Sequence, residues 1–185
     1  SDESFDEAMD CFGGSVWASH CNCRTLVPSD RQLSDEQIKR VIEREGVIGA
    51  AFDAWMLIPN WQRGKTTPES SGVSLRHVVD HIDHVCQLAG NADHAGIGTD
   101  LDGGFGLEQC PGDMDTIADL QKIPPLLEAR GYGISDIGKI SGFSDIFRYF
   151  RYSIFSDIFR YIGFSRHFPI FPDIPREWGT WIKAY

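Results

Sequence analysis

The sequence predicts an α/β protein in which parallel strands are covered by helices. Segments with helical periodicity alternate with short apolar segments along most of its 185 residues. The short segments are apolar throughout, as is typical of strands buried on both faces of a parallel sheet. In such folds the loops at the carboxyl ends of the strands carry the chemistry. Residues that follow a strand are therefore the first candidates for function.

The first predicted elements are a helix and a strand. Residues 1–12 place a capping Ser or Asp before acidic and then spaced apolar residues, which is typical of the start of a helix. Residues 13–20 begin with two glycines and continue as a short apolar run, which predicts a buried strand. That strand ends at His20, so an imidazole is expected at the edge of the sheet.

The second helix has signals at both of its ends. It is predicted over residues 33–46, where Ser34 is a suitable N-cap residue and Gln37 follows three positions later. This spacing is that of a capping box, in which the two side chains satisfy each other's backbone N–H groups. Gly46 lies just past the apolar face and predicts the end of the helix.

A second strand, a loop and a third helix follow. Residues 47–53 form an apolar run that ends in an acid, which predicts another buried strand. Residues 54–72 contain two prolines and are interpreted as a long polar loop, and residues 73–90 return to a helical period.

The last predicted elements are a third strand and a fourth helix. Residues 94–104 are a Gly-rich apolar run that ends in acids, and residues 114–131 have a helical pattern. Pro124 and Pro125 are expected to interrupt that helix, because proline lacks an N–H and clashes with the preceding turn.

Four polar residues fall at or near the predicted strand ends: His20, Asp53, Asp100 and Asp102. The carboxyl ends of parallel strands meet at one edge of a sheet. The sequence therefore predicts one functional rim that contains these side chains.

Residues 141–185 differ in character from the rest of the chain. The segment FSDIFRY occurs at 143–149 and again at 155–161, within a stretch rich in Phe, Tyr, Ile and Arg. Two copies are too few for a solenoid, which needs about three repeats to bury its faces. We interpret the region as a divergent aromatic-rich tail that is helical in part, and an accidental duplication or a shifted reading frame is an equal alternative.

Composition and charge exclude several classes of protein. The chain is 42% hydrophobic and 24% charged, as expected of one globular domain. Its net charge is −10 and its 17 Lys and Arg residues are scattered, which argues against a nucleic-acid partner. No apolar run reaches the roughly 18 residues that a membrane span needs, and no charged-then-apolar leader opens the sequence.

The cysteines favour a reducing compartment. Their number, five, is odd, and their spacing gives no regular framework of disulfide bonds. Together with the absence of a leader, this predicts a cytoplasmic location.

Six segments carry a family resemblance: SDESF, WASHCNCRTL, DRQLSDEQI, GVIGAAFDAWML, VVDHIDHVCQLAGNADHAGIGTDLDGGFG and EQCPGDMDTIADLQKIPPLLEARGY. In this order and spacing they resemble the membrane dipeptidase (renal dipeptidase) family of zinc-dependent dipeptidases. The resemblance covers roughly residues 1–140. It implies the C-terminal part, about strands 6 to 8, of a metallo-hydrolase (β/α)8 TIM barrel, followed by the divergent tail at 141–185.

The resemblance also implies a binuclear zinc site at the carboxyl rim of the barrel. His20, in the segment ASHCN, matches the family's sixth-strand zinc ligand. The fifth-strand histidine of the family stands just before SDESF, where this chain begins, so the zinc site is expected to be incomplete. From the residues alone, a single histidine at a strand end is more often a polar residue with a structural partner, although neutral imidazole is a good zinc ligand.

Two further roles come from the resemblance. Arg31 matches the arginine that binds the free carboxylate of the dipeptide, and a guanidinium suits this role because it forms paired hydrogen bonds with a carboxylate. From sequence alone it would be interpreted as a surface residue. Asp100 matches the catalytic aspartate that accepts and passes on a proton. Asp102 is the neighbouring alternative, and we expect it to cap the loop.

Other residues that could bind metal are expected to be structural. Cys21 and Cys23 have no second cysteine pair downstream, so we interpret them as small packed side chains rather than a thiolate site. His77, His81 and His84 share a face of the third helix, which packs outside the barrel in the family.

The resemblance implies zinc-dependent hydrolysis of dipeptides by a metal-activated water, the activity of the parent family. The chain by itself is expected to be inactive. The alternative is a catalytically inactive partial barrel that acts only through association with another chain. Unpaired strand edges and uncovered apolar faces make a homo-oligomer possible.

Overall fold

The computed structural model describes residues 1–143, which contain a three-stranded parallel sheet. Its strands are β1 (Trp17–Ala18), β2 (Val47–Ala50) and β3 (Ala95–Ile97), in the spatial order β1-β2-β3. Trp17 is paired with Val47, and Ile48 with Ala95. The prediction of an α/β fold with parallel strands is confirmed for these residues.

Seven α-helices surround the strands in the described part of the chain. They are α1 (Asp2–Cys11), α2 (Asp35–Glu43), α3 (Ala54–Leu57), α4 (Pro68–Ser71), α5 (Leu75–Ala89), α6 (Ile123–Glu128) and α7 (Ile134–Gly138). Turns of 3₁₀ helix occupy Leu107–Gln109 and Ile117–Lys122, and a π-helical turn occupies Lys139–Phe143.

The predicted starts of the first two helices are confirmed. Ser1 caps α1, and its Oγ accepts a hydrogen bond from the N–H of Ser4. At α2 the capping box is complete: Ser34 Oγ accepts from the Gln37 N–H at 3.2 Å, and Gln37 Oε1 accepts from the Ser34 N–H at 2.9 Å.

Two segments differ from the sequence prediction. Residues 54–72 contain α3 and α4 rather than a continuous loop. Residues 114–131 do not form one interrupted helix, because Ile117–Lys122 is a 3₁₀ turn and α6 starts only at Ile123. Pro124 and Pro125 therefore lie in the first turn of α6. Proline is tolerated there, since the first N–H groups of a helix have no intrahelical acceptor.

The core lies between the sheet and the helices α2, α5 and α6. Ile48 of β2 is almost fully buried, as are Ile38 of α2 and Ile123 of α6. The long helix α5 contributes the largest set of buried apolar side chains, Leu75, Val78, Val79, Ile82 and Val85. Burial of such side chains is worth roughly 1.5–3 kcal/mol each, so α5 is a principal support of the sheet.

A pair of buried amide side chains ties the loop after β1 to the end of β2. Asn22 Nδ2 donates to the carbonyl groups of Ala51 and Met56, both at 3.1 Å, and its Oδ1 accepts from the Ala51 N–H at 2.9 Å. Gln32 Nε2 donates to the same Met56 carbonyl at 2.8 Å, and its Oε1 accepts from the Asn22 N–H at 3.2 Å. Because these polar atoms are buried and hydrogen-bonded, the loop after β1 has a defined position relative to the segment that follows β2.

None of the helices in residues 1–143 is long and apolar enough to cross a membrane. The repeated FSDIFRY segments, and the predicted tail beyond residue 143, lie outside the described residues. The expectation for that region stays a prediction.

Candidate functional site

The three strands end at one edge of the sheet, and each is followed by a polar residue. His20 follows β1 by two residues, Asp53 follows β2 by three, and Asp100 follows β3 by three. Since β2 is the middle strand, Asp53 lies between His20 and Asp100 along this edge. The predicted rim is therefore present in the described residues.

Close contact between backbones brings the ends of β1 and β3 together. The carbonyl oxygen of Ser19 lies over Gly49 and Gly98, where an added Cβ would be 2.3 Å and 1.8 Å from that oxygen. Only glycine permits this approach, because the contact is with backbone that cannot rotate away. Ser19 precedes His20 and Gly98 precedes Asp100 by two residues, so this contact draws the predicted metal ligand toward the predicted catalytic acid.

His20 is half-buried and has one ring nitrogen in a hydrogen bond. Its Nδ1 lies 2.7 Å from Ser19 Oγ. When Nδ1 carries the proton and donates to this hydroxyl, the lone pair of Nε2 is free to bind a metal ion. The contact with Ser19 is compatible with this tautomer, because a hydroxyl can accept as well as donate.

Arg31 is exposed and lies against the end of β1. Its Nη2 donates to the carbonyl of His20 at 3.0 Å, and its Nη1 is 3.2 Å from the sulfur of Cys21. No carboxylate in residues 1–141 forms an ion pair with this guanidinium. The structure thus places Arg31 next to His20. The guanidinium of Arg31 has further N–H groups that could bind an anion.

Asp100 and Asp102 occupy different environments. Asp100 is half-buried and has a φ of 56°, in the left-handed region that few residues other than Gly, Asn and Asp adopt. Its carbonyl accepts from the Gly103 N–H at 2.8 Å, which closes a tight turn after β3. Asp102 is exposed, and its side chain has no hydrogen-bond partner within the described residues. No hydrogen bond in the described residues therefore supports the expected loop-capping role of Asp102.

Asp53 is the rim residue to which sequence reasoning gave no role. Its side chain is 8% exposed, and Oδ2 accepts from Trp55 Nε1 at 2.6 Å. Arg63 Nη2 lies 3.6 Å from the same oxygen, whereas Oδ1 is buried without a hydrogen-bond partner. Burial raises the pKa of Asp53, and the Trp55 hydrogen bond and the charge of Arg63 oppose that rise. The charge of Asp100 adds to the rise, so the two carboxylates interact.

The three histidines of α5 bind separate partners. His81 is buried, and its Nδ1 accepts from the Cys23 N–H at 3.1 Å. Burial lowers the pKa of His81 to about 4, so it is neutral at physiological pH. His84 Nε2 lies 2.8 Å from Asp35 Oδ1, and His77 bonds with Ser74 at the start of the helix. These contacts agree with a structural role for all three.

The cysteines form no disulfide among the described residues. Cys23 is fully buried, and burial raises the pKa of its thiol to about 12, which disfavours a thiolate ligand. Cys21 is half-buried beside Arg31. Both observations agree with packed side chains rather than a metal site.

The described residues do not hold a zinc site by themselves. No group of three or more His, Cys, Asp or Glu side chains in residues 1–141 is arranged to bind a metal ion. Zinc sites use three or four protein ligands, and the rim offers one imidazole suited to the purpose. The predicted binuclear centre is thus not formed within this part of the chain.

A family model described as membrane dipeptidase (peptidase family M19) matches residues 1–152. The chain belongs to the membrane dipeptidase family. The resemblance inferred from the six sequence segments is confirmed, and the match extends 12 residues past the expected boundary at 140.

Several curated relatives of the chain are named as dipeptidases. Dipeptidase tcpJ of Claviceps purpurea is 26% identical over 189 residues, which cover all of this chain and 40% of that protein. An uncharacterized dipeptidase of Schizosaccharomyces pombe, C3A11.10c, is 27% identical over 76% of this chain and 31% of its own length. The chain therefore spans less than half the length of these relatives.

Solved structures of metallopeptidases share the fold. The dipeptidase AC of family M19 has a TM-score of 0.62 and 25% identity, over 74% of this chain and 37% of that chain. A metallopeptidase from Rhodobacter sphaeroides has a TM-score of 0.60 and 24% identity, over 74% of this chain and 36% of that chain. Membership of a metallopeptidase family implies a metal cofactor for the family's hydrolytic reaction.

Proposed function

We propose that this chain supplies the carboxylate-binding and proton-accepting part of a zinc-dependent dipeptidase centre. The observation that carries the proposal is the shared rim, where the contact of Ser19 with Gly98 brings the end of β1 toward Asp100. Arg31 lies against the carbonyl of His20 at the same edge. His20, Arg31 and Asp100 thus stand at the same edge of the sheet, by the ends of β1 and β3.

Arg31 binds the free carboxylate of the dipeptide. Its planar guanidinium can make two parallel hydrogen bonds to a carboxylate, and it has no carboxylate partner in residues 1–141. An exposed arginine held by a backbone carbonyl is oriented without being neutralised. This arrangement suits a substrate that carries a terminal carboxylate.

Asp100 accepts the proton of the attacking water and returns it to the leaving amine. His20 would supply one zinc ligand through Nε2, with its Nδ1–H donating a hydrogen bond to Ser19 Oγ. Zinc, when bound, polarises the peptide carbonyl and makes water nucleophilic at neutral pH. The remaining ligands come from outside residues 1–143, which correspond to about strands 6 to 8 of the (β/α)8 barrel that the family resemblance implies.

The proposed substrate class is the dipeptide. Several curated relatives, such as dipeptidase tcpJ, are named as dipeptidases, and the Rhodobacter sphaeroides structure holds a phosphinate mimic of the dipeptide L-Ala-D-Ala. A short substrate fits a site in which one arginine fixes the terminal carboxylate near the reacting bond.

A second candidate function is association without catalysis. It is favoured by the incomplete ligand set, and by β1 and β3, which are the edge strands of the described sheet. Exposed strand edges readily pair with another chain, so a homo-oligomer or a complex with a complementary chain would follow.

Zinc titration of the purified chain tests the assignment of His20. The dipeptidase proposal expects at most one weakly bound zinc ion that is lost in His20→Gln, and no hydrolysis of L-Ala-L-Ala by the chain alone. His94→Gln is the matched control, because His94 precedes β3 at the opposite end of the strands and bonds the Gly46 carbonyl. Zinc binding that is unaffected by His20→Gln would contradict the assignment of His20. Chelator-sensitive hydrolysis by the chain alone would show that its site is complete.

A further inference from the structure

Asp53 carries a buried carboxylate with one oxygen engaged and one unpartnered. Oδ2 accepts from Trp55 Nε1, and Oδ1 is buried with no hydrogen-bond partner. A buried carboxylate oxygen without a partner is unfavourable, and a donor that reaches it would remove this cost. The carboxylate stands at the end of the middle strand of the rim.

One described cation lies within 4 Å of this carboxylate, and it is weakly held. Arg63 Nη2 is 3.6 Å from Asp53 Oδ2, longer than a hydrogen bond, and the Arg63 side chain is 67% exposed. The guanidinium lies over the indole of Trp55, 5.3 Å from the ring centroid. We therefore interpret Arg63 as an exchangeable counter-ion of Asp53 that lies over the indole ring of Trp55.

We propose that Asp53 and Trp55 form a site for a primary ammonium group, the free amino terminus of the dipeptide, which displaces the guanidinium of Arg63. This inference rests on the proposed dipeptidase function and adds to it a requirement for an unblocked amino terminus.

The chemistry of the two side chains suits an ammonium ion. A carboxylate oxygen accepts a charge-assisted hydrogen bond from N–H, and the face of tryptophan attracts cations more strongly than other aromatic rings. A metal ion would need further ligands, and no group of three His, Cys, Asp or Glu side chains in residues 1–141 provides them. The guanidinium already on Trp55 indicates that an organic cation fits this face.

Arg31 and Asp53 stand by the ends of neighbouring strands, and the proposal assigns the two ends of one dipeptide to them. Arg31 bonds the carbonyl that follows β1, and Asp53 follows the adjacent strand β2. Neighbouring strands are about 4.8 Å apart, and two extended residues span at most about 7 Å. A dipeptide held by its carboxylate at Arg31 can thus direct its amino terminus toward Asp53 while the peptide bond lies between them.

The test compares L-Ala-L-Ala with N-acetyl-L-Ala-L-Ala as ligands of the purified chain. Binding is followed by the NMR signal of the Trp55 indole N–H, assigned by its loss in Trp55→Phe. The free dipeptide should bind about ten- to a hundredfold more tightly than the acetylated one, as expected for one charge-assisted contact. Asp53→Asn, which keeps an acceptor for Trp55, should abolish that difference, and Asp102→Asn is the control for loss of one rim charge.

A second variant reports on the exchange of counter-ions. Arg63→Gln should bind the free dipeptide several-fold more tightly and leave binding of the acetylated one unchanged, because the competing cation is gone. A purely structural role for Asp53 would not produce this gain.

Equal affinity for the two ligands, no detectable binding of either, or an unchanged preference in Asp53→Asn would each overturn the inference. So would the lack of any gain in Arg63→Gln. Hydrolysis is measured separately, so an amino-terminus preference in the binding assay would stand even if the dipeptidase proposal failed. A loss of preference would leave that proposal intact.

Discussion

His81 couples stability to pH at the scale of one residue. Burial lowers the pKa of its imidazole to about 4, whereas the unfolded side chain titrates near 6.5. Between these values the unfolded state binds a proton that the folded state does not. The free energy of unfolding should therefore fall as pH is lowered from 6.5 to 4, by about 3 kcal/mol from this residue alone.

Urea unfolding of the purified chain at pH 4 to 7 measures this effect. His81→Asn keeps an acceptor for the Cys23 N–H and should flatten the dependence on pH. His77→Asn is the matched control, because it removes a half-buried imidazole from the same helix. An equal flattening in both variants would contradict the assignment to His81.

Asp100 and Asp102 should differ in their effects on turnover. The difference is measured by steady-state kinetics in a hybrid enzyme where residues 1–152 replace the matching segment of a related dipeptidase. Asp100→Asn should lower kcat about 10²- to 10⁴-fold, because a general base is lost. Asn also tolerates the left-handed backbone at this position, so folding is preserved.

Asp102→Asn should leave kcat nearly unchanged and alter stability by less than about 0.5 kcal/mol, since its side chain is exposed. Near-normal turnover in Asp100→Asn would remove the assignment of the proton acceptor.

The sequence predicts rim residues better than it predicts their environment. His20, Arg31 and Asp100 were found through a motif, and the structure brings His20 and Arg31 into contact at the end of β1. The environment of Asp53 was missed, because it depends on Trp55 and on Arg63, ten residues farther along a segment interpreted as a polar loop. Spacing along the chain carries no information about such a contact.

At the scale of elements, the contact of β1 with the end of β3 depends on Gly98. An added Cβ would lie 1.8 Å from the carbonyl oxygen of Ser19, so Gly98→Ala must push the two backbones apart. We expect a loss of about 1–3 kcal/mol in the free energy of unfolding, as for other overpacked sites. Chemical denaturation measures this loss.

Gly138→Ala is the control for that substitution. Gly138 ends α7, has no atom within 4 Å of an added Cβ, and should gain up to about 1 kcal/mol from the better helix propensity of alanine. Equal effects of the two substitutions would show that the approach of Ser19 is not what requires glycine.

Local signals predict some elements well and others poorly. The start of α2 follows from Ser34 and Gln37, because a capping box is made by residues close together in sequence. The helix expected over 114–131 was wrong in its extent, since Pro124 and Pro125 occupy the first turn of α6 instead of interrupting a longer helix. Helical periodicity alone does not show on which side of a proline the helix lies.

At the scale of the whole molecule, the described residues form a three-stranded parallel sheet whose strands end at one edge, followed by His20, Asp53 and Asp100. The family was predicted from six segments in a characteristic order, and the α/β fold from the alternation of helical and apolar segments. Both predictions are confirmed. Residues 1–141 contain no group of three or more His, Cys, Asp or Glu side chains that could hold a metal ion.

Isothermal titration of the purified chain with L-Ala-L-Ala tests most directly whether this rim is a dipeptide site. Wild-type chain should bind the dipeptide, and both Arg31→Gln and the carboxyl-terminal amide L-Ala-L-Ala-NH₂ should weaken binding about tenfold or more, because each removes one partner of a charge-assisted pair. Arg76→Gln, which alters an exposed arginine on α5, should bind as the wild type does. Equal binding of the dipeptide and its amide, or wild-type affinity in Arg31→Gln, would contradict a dipeptide site at this rim.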